Sequence, residues 1–161
     1  MFEREACHSL HSQKRPLAGR VSPEQCSRVG SLIIKMAKKT ILVVEDMPSE
    51  REVVAQALGL MGFRVLTAEN GRIALDIYHR RKVDLILSDV NMPEMDGFDL
   101  LRTLREEGSD TPLVLLTGMD EGAVKAATVK NPATGVLVKP FRLNHLREEF
   151  GRIFGEPASS Q

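Results

Sequence analysis

"ILSDVNMPEMDG", residues 86–97, decides how this chain folds. It begins with the apolar pair Ile86-Leu87, as expected of a strand covered on both faces. It then stops at one acid, Asp89, and passes into a loop of Asn91, Pro93 and Asp96-Gly97. Asp-Gly is turn chemistry, and an Asp ahead of "FDLLRTLREE" (98–107) is a helix cap. The stretch therefore reads as a buried strand, "VDLILS" (83–88), that delivers a carboxylate to its tip and restarts as a helix.

The same unit recurs on both sides. "TILVVE" (40–45) is a continuous β-rich run. It leads into "PSEREVVAQALGL" (48–60), with Pro and Glu in its first turn and Val53, Val54, Ala57, Leu58 and Met61 at helical spacing. "FRVLTA" (63–68) and "GRIALDIYHRR" (71–81) form a second strand and helix. "PLVLLT" (112–117) is followed by a weaker helix at 120–129, and "GVLV" (135–138) by "LNHLREEFGRIF" (143–154). Five strand–helix units in succession require a parallel sheet with right-handed crossovers and helices on both faces. The expected fold is a doubly wound five-stranded α/β domain over residues 38–155.

Residues 1–37 show no sustained period and are rich in Ser, Arg, Gly and Pro, so they read as a disordered leader. Met36, opening "MAKKTILVVED", stands where order begins and reads as an alternative start. Cys7, His8, His11 and Cys26 lie in that leader at spacings that match no compact zinc finger. Residues 156–161 read as a disordered tail. Lys+Arg and Asp+Glu both number 22, which argues against direct nucleic-acid binding. Cysteines occur only in the leader, and no apolar run reaches the roughly 20 residues that span a bilayer. A cytoplasmic protein without membrane insertion is expected.

In open parallel sheets, ligands sit beyond the carboxyl ends of the strands. Strand 1 ends in Glu45-Asp46, strand 3 in Asp89, strand 4 in Thr117 and strand 5 in Lys139. Each could be an ordinary turn former, but together they bring three carboxylates, a hydroxyl and an ammonium to one edge. Two like charges about 4 Å apart repel by roughly 4 kcal/mol at an effective dielectric near 20. A cation, or protonation of one acid, relieves this. Hard oxygen donors without Cys or His favour Mg²⁺, which leaves room for a phosphate. Lys139 then suits one phosphoryl oxygen and Thr117 another.

These residues carry a family resemblance. "VVED" (43–46), "SDVNMPEMDG" (88–97), "LLTG" (115–118) and "VLVKPF" (136–141) resemble the motifs of a response-regulator receiver domain, the phosphoacceptor module of two-component signalling. The likeness runs from Lys38 to Phe154 with every motif in order. It implies a flavodoxin-like sheet of strand order 2-1-3-4-5. It implies that Asp89 accepts phosphate from a sensor histidine kinase or histidine phosphotransfer protein. Asp46, Asp89 and the Asn91 backbone carbonyl would hold Mg²⁺, with Glu45 acting through water. Lys139 would pair with the phosphoryl group, Thr117 would move to bond it, and Lys139-Pro140 would be cis. The output would be altered protein–protein binding; chemotaxis, onward relay of phosphate and kinase regulation all fit.

The chain departs from that pattern where many receivers carry a switching aromatic, three residues before the lysine: here stands Val136. Tyr78, the only tyrosine, lies on the second helix and cannot substitute. Gly118 leaves the phosphoryl position open, and Asn91 and Met119 flank it. The switch is expected in the loop after Thr117, eased by Gly118 and Gly122. An Asp-nucleophile phosphatase would place an acid two residues after Asp89, where Asn91 stands. A nucleotide- or flavin-binding relative would show a Gly-rich phosphate loop after strand 1, where "EDMP" stands instead. A transcription factor would need a DNA-binding domain, for which the motifs give no sign.

Overall fold

The computed structural model describes residues 39–155. The leader with Cys7, His8, His11 and Cys26, the start at Met36 and the tail lie outside the described residues. Ten elements alternate along the described residues: β1 (Thr40–Val44), α1 (Pro48–Leu60), β2 (Arg64–Ala68), α2 (Gly71–Arg80), β3 (Leu85–Asp89), α3 (Gly97–Glu106), β4 (Leu113–Thr117), α4 (Glu121–Ala127), β5 (Gly135–Val138) and α5 (Leu143–Phe154). All pairings are parallel and the strand order is β2-β1-β3-β4-β5, as the resemblance implies.

Successive side chains of a strand point to opposite faces, so each apolar run feeds two cores. Ile41, Val43, Leu85, Leu87, Val114 and Leu116 face α1 and α5, where Val54, Leu58, Leu146 and Phe150 close the layer. Phe63 packs edge-on to Phe150 at 5.5 Å between ring centroids. Leu42, Val44, Ile86, Leu113 and Leu115 face the other way, against Ala74 of α2, Leu100, Leu101 and Leu104 of α3 and Val124 of α4. The two-sided burial is why these strands read as unbroken apolar runs.

Several boundaries differ from the sequence reading, each for a local reason. The third strand is 85–89, two residues later at its start than 83–88. Asp84 stays out because its carboxylate accepts the Thr40 N–H at 2.8 Å and pairs with Lys39 at 3.5 Å. Asp89 stays in because the next amide, Val90 N–H, donates to Leu116 across the ladder at 2.9 Å. On α1, only Val54 and Leu58 of the apolar series are buried; Val53 is 67% exposed, since a single covered face needs a narrower stripe than the series supplied. The fourth helix ends at Ala127 because the Thr128 hydroxyl donates back to the Val124 carbonyl at 2.9 Å.

Two further placements bear on the site. The Tyr78 hydroxyl bonds Ser109 at 2.6 Å and Thr111 at 2.9 Å, in the loop that enters β4. It therefore serves the end of the sheet opposite Thr117. Asp96 caps α3 as expected, accepting Asp99 N–H at 2.8 Å. The positive φ of that loop falls on Glu94 (65°), however, and not on Gly97.

Candidate functional site

The strand order makes the chain turn in opposite directions from β1: to β2 on one side and β3 on the other. That reversal opens a crevice at the carboxyl ends of β1 and β3. The register levels those ends, with Val44 opposite Ser88 and Asp89 opposite Leu116. Glu45 and Asp46 therefore leave β1 beside Asp89. The three carboxylates bring oxygens within 4.8 Å of one another. Glu45 is 2% and Asp89 6% exposed, so water screens their repulsion poorly.

The acidic corner is held by its neighbours. Glu45 N–H donates to the Ala68 carbonyl at 3.1 Å. One Arg51 guanidinium nitrogen reaches back from α1 and donates to the carbonyls of Glu45 (2.6 Å) and Asp46 (3.2 Å). Asn91 N–H donates to one Asp89 oxygen at 3.0 Å, which fixes the carboxylate at the start of the loop. The other Asp89 oxygen meets Lys139 Nζ at 2.9 Å. Thr117 is fully buried, and its hydroxyl accepts Met119 N–H at 2.9 Å. Lys139 N–H donates to the Thr117 carbonyl at 2.7 Å, binding the ends of β4 and β5 together, and the Lys139-Pro140 peptide is cis. The side chains of Glu45, Asp46, Asp89 and Lys139 thus converge, while Thr117 joins Lys139 through its backbone carbonyl and Asn91 joins Asp89 through its backbone amide.

Lys139 also touches Glu45 at 2.9 Å and Glu50 at 2.8 Å. Burial pulls an ammonium toward neutrality, but hydrogen bonds to Glu50, Glu45 and Asp89 outweigh it and hold Lys139 above the ordinary lysine value. Burial pushes the Glu45 carboxyl up; the Lys139 hydrogen bond opposes this and the Asp89 charge adds to it. One ammonium is too little charge for three adjoining acids and a fourth at the rim. The donor set is all hard oxygen, with no Cys or His, so it fits a small divalent cation.

Sequence reasoning missed Glu50 and Arg51. Both stand in the opening turn of α1, where Glu50 passes for a simple helix-dipole acid and Arg51 for a solvated base. Spacing gave one available signal: the turn after Glu45-Asp46 returns over the crevice within five or six residues.

The comparisons with known proteins agree with this geometry. Residues 41–150 match the family model of the response regulator receiver domain. The chain belongs to that family. It is similar to the autoinducer 1 sensor kinase/phosphatase LuxN of Vibrio harveyi, with 36% identity over 121 residues, 75% of this chain and 14% of that protein. It thus spans a small part of that relative's length. Among solved structures, the chemotaxis protein CheY4 of Vibrio cholerae superposes with a TM-score of 0.68 at 36% identity, covering 71% of this chain and 98% of that one. The response regulator TrrA of Thermotoga maritima, solved in complex with Mg²⁺ and BeF, gives 0.65 at 30% identity, with the same coverage.

Proposed function

We propose that this chain is a phosphorylation-controlled switch in two-component signalling, with Asp89 as phosphoacceptor. The observation that supports it most is the single crevice in which Asp89 offers one oxygen to Lys139 and stands among two further acids. Asp89 attacks phosphorus; as its O–P bond forms, the P–N bond of a phosphohistidine breaks and the electron pair leaves on the imidazole. Lys139 exchanges its contact with Asp89 for a phosphoryl oxygen. Thr117 gives up the Met119 amide to bond another oxygen, which carries the change into the loop before α4. Asp46, Asp89, the Asn91 carbonyl and, through water, Glu45 would hold Mg²⁺, which would supply the charge that lets an anion approach three carboxylates. The donor is a sensor histidine kinase or histidine phosphotransfer protein; the kinase among the similar proteins supports that class. The cytoplasm is the compartment that suits this donor, and no helix of the described residues is long and apolar enough to cross a membrane. Incubation with acetyl phosphate tests the reading: an acyl phosphate forms with Mg²⁺ and not with excess chelator. Label that is indifferent to the chelator refutes it.

The metal has its own thermodynamic signature. Mg²⁺ that binds only the folded state stabilises by mass action, about 2.7 kcal/mol at a hundredfold excess over Kd. Melting curves of the parent should rise with millimolar Mg²⁺, while those of Asp46→Ala should not. The metal-free variant is expected to be no less stable than the parent, because one repelling charge is gone.

Coupling to partners should separate Thr117 from Val136. Val136 is half-buried against the α2–α4 core and, being β-branched, has one restricted rotamer and no ring to move. Thr117→Ala should leave labelling largely intact yet abolish phosphorylation-dependent capture of a partner. Val136→Ala should retain that capture. Loss of capture in a folded Val136→Ala protein would put the switch through β5.

A further inference from the structure

Lys139 has three carboxylate partners at nearly equal distance: Asp89 and Glu45 at 2.9 Å, and Glu50 at 2.8 Å. Two of the three belong to the cluster of acids that can hold a cation, and Glu50 does not. The difference matters when that cluster is loaded. A divalent cation beside Asp89 repels an ammonium that shares the same carboxylates, so Lys139 keeps full value only in its contact with Glu50. Glu50 projects from the first turn of α1 with its side chain 52% exposed, 89 residues away in sequence, so its carboxylate stands at the rim of the crevice. No other acid of the described residues contacts Lys139 from outside the cluster.

We propose that Glu50 is the resting counter-ion of Lys139: a positioning residue that receives the ammonium when a cation claims Glu45 and Asp89, and yields it to the phosphoryl oxygen. This rests on the phosphoacceptor reading above and adds a residue to it. Glu50 thereby favours the cation and competes with the phosphoryl group for the same lysine. The two effects have opposite sign, which a merely structural role does not produce.

The test is Glu50→Gln, which keeps shape and removes charge at a position exposed enough to fold normally. Mg²⁺ affinity, followed by calorimetry or backbone amide shifts at low ionic strength, should fall about three- to tenfold. At saturating Mg²⁺, beryllofluoride should bind about three- to tenfold more tightly. Glu52→Gln, two residues on along α1 with its side chain on Gln56, is the control for net charge and should change each value less than about twofold. In a Lys139→Met background, Glu50→Gln should change Mg²⁺ affinity less than about twofold, because there is no ammonium left to place. Equal effects in both backgrounds would show a simple field of charge and overturn the proposal. So would unchanged Mg²⁺ and beryllofluoride affinities in Glu50→Gln beside a normal parent. A parent that binds no Mg²⁺ overturns the metal site itself and this role with it.

Discussion

Asp89→Asn is expected to abolish phosphoryl labelling by acetyl phosphate or a phosphohistidine donor, a loss of about a hundredfold or more. The amide has the same outline as the carboxylate but carries no charge and is no nucleophile toward phosphorus. Among the described residues, Asp89 alone is held by both Lys139 and the Asn91 N–H. Glu45 is buried and engaged with Lys139, and Arg51 clamps the Asp46 backbone carbonyl. The fold should survive, because the substitution removes like-charge repulsion with Glu45 while costing one contact to Lys139, which keeps two others. Labelled peptide mapped by mass spectrometry gives the readout. Undiminished label in the variant would place the acceptor elsewhere.

Gly97→Ala is expected to destabilise the protein by about 3 kcal/mol or more, a large effect for one methyl group. The reason is proximity and not an unusual φ. A Cβ at Gly97 would stand 2.4 Å from the Asp89 carbonyl oxygen and 3.0 Å from Val90 Cα. Both obstacles are backbone, so no rotamer change relieves them. The start of α3 must lift off β3, breaking the 3.0 Å bond from Gly97 N–H to the Val90 carbonyl. Since that bond helps hold the strand tip, Asp89 labelling should slow along with the loss of stability. Urea unfolding and the initial labelling rate check the two halves separately. A variant of parental stability would mean that α3 can shift freely relative to the strand.

Most of the architecture was legible along the chain because its cause is local and repetitive. A strand buried on both faces must be apolar at every position, and a short βα unit in a parallel sheet must cross over with one hand. Five such units leave one arrangement of ends, so Glu45, Asp46, Asp89, Thr117 and Lys139 could be brought together before any distance was known. Their chemistry was suggested by charge, since three acids on one edge call for a cation or for protonation of one of them. The strand order itself came from the family resemblance, and the register at Val44, Ser88 and Asp89 then confirmed that the ends are level.

Tertiary packing decided what depends on how one element lies against another. Helical spacing marks Val53 and Val54 alike as apolar, but only the roll of α1 on the sheet buries Val54 and leaves Val53 in water. That same roll aims Glu50 at Lys139 and Arg51 at the carbonyls of the acidic corner, contacts that periodicity cannot distinguish from solvated charge. The start of β3 was set by the Asp84 carboxylate taking an amide from β1, and the need for glycine at 97 by the approach of α3 to the Asp89 carbonyl. Local pattern thus specifies which residues reach the edge of the sheet, because backbone direction and burial act residue by residue. Which charges meet there is set by the rigid-body placement of a helix, which is fixed only when the whole core has packed.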